Sequence, residues 1–146
     1  MRIRLATMAD LPRLEHLLAE AGAEMAAKFG CDRQENVQLA AFRFGISQGE
    51  AVVVAEQSSG DVVGFCAWVG LPLQPPGLVS GIGTYVLPEY RGDHVCHSMR
   101  QFAADHCRTL GYKRVRGELA LENEAGRVSS EKEGFRVVAQ IVELEL

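Results

Sequence analysis

Apolar and polar residues along this chain fall into two alternating spacings, one of strands and one of helices. Arg2–Ala6 alternates with period two, Ile3 and Leu5 apolar against basic Arg2 and Arg4, which predicts a half-buried first strand. A helix opens next, at Thr7 or at Asp10. Asp10 lies three residues after Thr7 as an acidic first-turn partner, and Pro12 is tolerated only within a first turn. Leu11, Leu14, Leu18, Ala21 and Met25 form its apolar stripe, and His16 falls off it as a solvated residue. Gly30–Asp32 breaks the pattern. A second helix is expected from about Arg33 to Ser47, with Val37, Ala40, Ala41 and Phe44 as its buried face. Ala51–Glu56 and Val62–Val69 are apolar, β-branched runs on either side of Ser58-Ser59-Gly60-Asp61, and they predict a hairpin.

The second half repeats the alternation in another order. A stiff proline-rich loop, Leu71–Leu78, leads into a fourth strand that must end at Pro88, which has no N–H to give a neighbour. The stretch from Tyr85 to Leu110 reads as strand, sharp turn and helix. Val95, Met99, Phe102, Ala103 and Leu110 mark the buried helix face, and Gly111 follows as a C-terminal cap. Arg114–Leu121 predicts a fifth strand, and two strands joined through a helix imply a parallel, right-handed crossover. A short helix over Glu122–Phe135 and a last strand from Phe135 to Leu146 complete an α/β pattern.

Composition narrows the class. At 146 residues, 47% hydrophobic and 23% charged, the chain is expected to be one domain, residues 1–146, with a full core. No apolar run reaches the length of a membrane span, and the start Met1-Arg2-Ile3-Arg4-Leu5 lacks a signal-peptide core. A net charge of −4 argues against nucleic acid as a partner and suits a cationic amine. Cys31, Cys66, Cys96 and Cys107 show no CxxC spacing, which points to reduced thiols and a cytoplasmic protein. His94 and His97 share a helix face while Cys96 points elsewhere, so no metal is expected there.

The candidate chemistry lies at the strand–helix junction. A strand feeding a helix N-terminus presents unpaired N–H groups and the positive end of a helix dipole, an arrangement suited to phosphate. Gly92 removes a side chain at the tightest approach, and Arg91 adds a positive charge. The segment Leu87-Pro88-Glu89-Tyr90-Arg91-Gly92-Asp93-His94-Val95-Cys96 resembles the coenzyme-A pyrophosphate loop of the GNAT superfamily, the acetyl-coenzyme-A-dependent N-acetyltransferases. Arg91 and Gly92 keep that pattern, whereas His94 and Cys96 stand where the family has small residues. A second resemblance lies in Asn123, Lys132, Gly134 and Phe135, which match the family's closing helix, with Ser130 at its tyrosine position.

The resemblance covers nearly the whole chain. It implies a mixed, mostly antiparallel sheet flanked by helices, with the fourth and fifth strands splayed to admit the acyl-bearing arm of the cofactor. It implies acetyl-coenzyme A as acyl donor, without metal, and an acceptor amine on a small molecule or peptide. Backbone groups of Tyr85, Val86 and Leu87 would pair with the pantetheine arm. The N–H groups of Arg91, Gly92, Asp93, His94, Val95 and Cys96 would hold the pyrophosphate, and Asn123 belongs to the same set. The backbone angle at His94 sets the outcome there. A helical angle would let an imidazolium face phosphate, and a positive φ would weaken binding.

For the transfer itself, Glu118 is the first candidate base, with Ser130 or Tyr85 as proton donor. Cys96 near a helix N-terminus is a further candidate nucleophile. Residues around Glu24–Arg33, and the proline-rich loop, are placed at the acceptor site. The rival reading is a catalytically degenerate module that binds coenzyme A or a protein, since His94, Cys96 and Ser130 depart from the pattern together. A nucleotide binder is disfavoured, because no P-loop Lys-Ser/Thr follows Gly92 and no GxGxxG appears. An edge strand at the C-terminus leaves room for a homodimer.

Overall fold

A computed structural model describes residues 1–146. Five strands form one sheet in the order β1-β2-β3-β4-β5: β1 Arg2–Leu5, β2 Ala51–Glu56, β3 Val62–Val69, β4 Leu78–Val86 and β5 Arg114–Arg116. The first four are antiparallel and β4–β5 is parallel. Four helices flank them: α1 Leu11–Phe29, α2 Glu35–Ser47, α3 Val95–Thr109 and α4 Glu124–Lys132. This is the mixed α/β architecture expected.

Successive residues of a strand face opposite sides of a sheet, and β3 shows which helix covers which. Phe65 meets Phe42 of α2 edge-on at 5.1 Å between ring centroids. A Cβ on neighbouring Gly64 would lie 3.4 Å from Met99 Cε of α3. So α2 covers one face and α3 the other, and α1 packs beside α2. β2 and β3 are buried along nearly their whole length, as strands sandwiched between two helical layers must be.

The first strand–helix joint is held by charge. A 3-10 turn, Met8–Asp10, precedes α1. The nearly buried Asp10 carboxylate accepts from Thr7 N–H at 2.7 Å and from both terminal nitrogens of Arg4 at 2.8 and 2.9 Å. That pairing holds its pKa below the ordinary carboxylate range. α1 therefore starts at Leu11 with Pro12 in its first turn, and Gly30 ends it in the left-handed conformation, φ 64°.

Four expectations need correction. The inward face of α2 is buried Phe42 and Gly45 with half-buried Gln38, Leu39 and Ile46 beside them, whereas Val37 is 70% exposed and Phe44 also turns outward. The face of α3 runs Val95, Met99, Ala103, Cys107, leaving Phe102 and Leu110 off it and 36% and 45% exposed. β5 covers three residues rather than eight, because its partner β4 bulges away beyond Ser80. The segment 135–146 forms no strand. Phe135 packs against Trp68 at 6.3 Å, but from Val137 to Leu146 six large apolar side chains are more than half exposed. With so short a β5, the sheet edge offers them little to pair with.

Candidate active site

The site is built where β4 leaves β5. Leu78, Val79 and Ser80 pair with Arg114, Val115 and Arg116, and then two glycines face each other. A Cβ on Gly81 would lie 3.6 Å from Gly117 Cα and 3.7 Å from Trp68. The ladder to β3 slips by one residue at the same point: Trp68 pairs with Gly81 and Ala67 with Gly83, so Ile82 is an extra, bulged residue. A bulge bends and twists its strand, and β4 runs on to Val86 with no strand on its outer edge. Leu87 N–H donates to Val63 O at 2.9 Å, so Tyr85 shares that orientation toward β3, while Thr84 and Val86 turn their peptide groups to the open edge. Of the three backbones assigned to the pantetheine arm, only that of Val86 lies on the open edge.

A tight loop follows. Pro88–Tyr90 is a 3-10 turn, Gly92 takes φ 98°, and His94 caps α3 with φ 58° and ψ 14°. His94 is thus in the left-handed region, where an L-residue carries strain that glycine escapes. No side chain caps α3, and the six backbone N–H groups from Gly92 to His97 find no acceptor within the chain. Partial positive charge collects there from the helix dipole.

Arg91 does not project freely. Its two terminal nitrogens grip Glu24 of α1 at 3.0 and 2.6 Å, and its Nε donates to Val86 O at 2.9 Å. The guanidinium also lies 5.3 Å from the centre of the Tyr85 ring. Glu24 further accepts from Lys28 at 2.6 Å. Arg91 holds the Glu24 carboxyl down at about 2, and burial followed by Glu24 raises the Tyr85 phenol. Tyr85 therefore stays protonated at neutral pH, with its ring against Phe65 at 6.2 Å. Arg91 ties the far end of α1 to the end of β4.

The other expected residues are scattered around this centre. Glu118 is exposed on the loop beyond β5, not on a strand. Ser130 is half-buried on α4. Asn123 caps α4, its side-chain oxygen accepting from Gly126 N–H at 2.9 Å. Burial pushes the Cys96 thiol up, so the helix N-terminus does not make it a thiolate. No three His, Cys, Asp or Glu side chains gather in a way that could hold a metal ion, and no helix is long and apolar enough to cross a membrane. Sequence reasoning missed Gln38, whose Nε2 donates to the bulged Ile82 O at 3.1 Å. Its signal was its spacing from Phe42 and Gly45, at i, i+4 and i+7.

The sequence model of the acetyltransferase (GNAT) family matches residues 19–127. The chain belongs to this family. No curated protein sequence matches it. Among solved structures it is similar to yncA of Salmonella typhimurium, described with its cofactor acetyl-CoA, at 24% identity and TM-score 0.77, over 97% of this chain and 82% of that one. The PaiA N-acetyltransferase of Thermoplasma acidophilum, in complex with coenzyme A, superposes with TM-score 0.78 at 16% identity, over 96% and 92%. A ribosomal-protein-alanine N-acetyltransferase of Brucella melitensis gives TM-score 0.74 at 22% identity, over 93% and 85%. These likenesses establish the GNAT fold, with its splayed β4 and β5.

Proposed function

We propose that this GNAT protein transfers an acetyl group from acetyl-coenzyme A directly to a primary amine of a small molecule or peptide. The observation that carries the reading is the run of six unpaired N–H groups from Gly92 to His97, set beside the open edge of β4. A pyrophosphate needs several donors and no competing side-chain cap, and an amide-bearing arm needs an unpaired strand edge. The chain offers both in sequence. The N–H groups of Gly92 to His97 would hold the diphosphate, and the backbone of Thr84 with the N–H of Val86 would align the arm along β4. When bound, acetyl-coenzyme A supplies the activated acyl group.

The chain's own part in the transfer is placement and polarity. A backbone donor held along the open edge of β4 can polarise a carbonyl without reorganising during reaction. Tyr85, buried and kept protonated, is a proton donor at the strand edge. Glu118, exposed beyond β5, can take a proton from the acceptor ammonium through water.

One observation favours a second reading, a degenerate module that binds coenzyme A or a protein without turnover. His94 occupies a left-handed position suited to glycine, and Arg91 is already engaged by Glu24. Isothermal titration separates the two, with acetyl-coenzyme A as ligand and ATP as control, followed by thiol release over a panel of amines. Micromolar binding lost in Arg91→Glu, with turnover of at least one amine, supports the enzyme. Binding without turnover over the whole panel supports the module, and no binding up to millimolar removes both coenzyme readings.

A further inference from the structure

Two side chains of α3 converge on one oxygen. Arg100 Nη1 lies 3.3 Å and His97 Nδ1 3.5 Å from Oε1 of Glu133, the residue that caps the end of α4. A spacing of three puts His97 and Arg100 on one face of α3. Side chains of a helix lean toward its N-terminus, so Arg100 reaches back along the turn whose N–H groups are unpaired. Cys96 marks the meeting point. Burial raises its thiol, and the charges of Arg100 and Glu133 act on it in opposite senses, so both stand beside it.

This seat is desolvated but poorly filled. The side chains of Arg100 and Glu133 are only 17% and 14% exposed. Yet 3.3 Å is long for a charge-assisted bond, which closes to about 2.7–2.9 Å where the geometry suits it. It is also the one hydrogen bond of a guanidinium that carries several donors. α4 itself buries no residue, and its half-buried positions Gly126, Ser130 and Glu133 bring no apolar side chain inward. Its other side-chain hydrogen bonds are internal, from Arg127 to Glu124 and Glu131 and at the Asn123 cap. A carboxylate thus stands, loosely held, where a stronger anion would fit.

We propose that Arg100 is a further ligand of the coenzyme diphosphate, and that Glu133 is an internal anion the diphosphate displaces to reach it. The inference rests on the acetyl-coenzyme-A reading above and deepens it. The seat adjoins the backbone donors of Gly92 to His97 through Cys96 and His97. A diphosphate carries more charge than a carboxylate and offers paired oxygens to the planar fork of arginine. It therefore wins the exchange once those backbone donors have positioned it. Until then Glu133 keeps a desolvated cation paired and holds the end of α4 against α3. The guard lowers coenzyme affinity, because the seat is free only part of the time.

Calorimetric titration with acetyl-coenzyme A separates this role from a structural one by the sign of two effects. Arg100→Gln and Glu133→Gln both break the ion pair between α3 and α4, so a merely structural pair would make both weaken binding. Displacement gives opposite signs. Arg100→Gln is expected to raise the dissociation constant at least about tenfold and Arg100→Lys to raise it less, whereas Glu133→Gln lowers it about threefold or more. Glu131→Gln removes an exposed charge from the same helix and is expected to change it by less than about twofold. Acetyl-pantetheine, which has no diphosphate, should bind to Arg100→Gln and Glu133→Gln as it does to the wild type. Glu133→Gln keeps the shape of the side chain, so it carries the test even where Arg100→Gln fails to fold. Binding by Glu133→Gln no tighter than the wild type, undiminished binding by Arg100→Gln, or an equal gain in Glu131→Gln overturns the inference and leaves the coenzyme reading intact. Absence of binding by the wild type overturns that reading and the inference with it.

Discussion

His94 holds φ 58° at the start of α3, a conformation that costs an L-residue about 1–2 kcal/mol. Histidine enters this region more readily than most residues, and the exposed loop lets the ring point to solvent. Replacing it with glycine removes the strain and adds backbone freedom to the unfolded chain, worth about 0.4–1 kcal/mol in the opposite sense. The strain wins. His94→Gly is expected to stabilise the protein by about 0.5–1 kcal/mol and to raise the melting temperature by a few degrees. Equal or tighter acetyl-coenzyme A binding should accompany it, and a drop in melting temperature would show that the imidazole contributes a contact of its own. Glu24 gives the pH dependence at this scale. Its folded pKa, about 2, lies below the ordinary 4.5, so its contribution is complete above about 4.5 and is lost as pH falls toward about 2. The pair with Arg91 is partly exposed and is worth about 1 kcal/mol at most. Urea midpoints of the wild type and Glu24→Gln should therefore differ by a constant amount above pH 5 and converge below it. A gap that persists at pH 2 would place the stabilisation in packing rather than charge.

Among the elements, α2 shows best how burial departs from hydrophobicity. Its inward residues include Gln38 and Gly45 beside Leu39, Phe42 and Ile46, so two positions that meet the sheet carry no large apolar side chain. The glutamine is there because a bulged carbonyl needs a donor. The glycine is there because a Cβ would sit 2.8 Å from a Val69 methyl and 2.9 Å from a Val52 methyl. Branched side chains fixed in a sheet cannot easily withdraw, so overpacking of about 1–3 kcal/mol outweighs the helix propensity of about 1 kcal/mol that alanine gains over glycine. Gly45→Ala is expected to lower stability by roughly 1–2 kcal/mol in a denaturant melt. A stabilised Gly45→Ala would mean that α2 can slide on the sheet, and the tether from Gln38 would then be looser than its geometry implies.

Across the whole molecule, the sheet divides into a closed half and an open half. β1 to β3 are enclosed between α1/α2 and α3, whereas β4 has a free edge beyond Gly81. Trp68, the only tryptophan, sits at that boundary, nearly buried, beside Gly81 and Phe135. Filling the cleft should change its surroundings while leaving the rest of the core alone. Titration with acetyl-coenzyme A is expected to alter Trp68 emission with the same midpoint as calorimetry, and Trp68→Phe should bind without the signal. An unchanged spectrum at saturating ligand would place the acyl arm away from the β4–β5 divergence.

What the sequence by itself determined is what short-range physics controls. The β2–β3 hairpin follows from two β-branched runs and a four-residue turn, α1 from a stripe closed by Gly30, and the α3 N-terminus from Pro88, Arg91 and Gly92. Each depends on neighbours within a few turns, so periodicity reads it correctly, and the family resemblance at the loop supplied the splay. The tertiary structure decided the rest. β5 stops at Arg116 because β4 bulges opposite it, 34 residues earlier at Ile82, and no pattern within Arg114–Leu121 records that. Arg91 faces Glu24, 67 positions away, rather than the loop it belongs to. Gln38 faces Ile82 across 44 positions, at a carbonyl that exists as an unpaired acceptor only once the strands have slipped register. A side chain's partner is set by which backbone groups folding leaves unsatisfied, and those are known only when the sheet has formed.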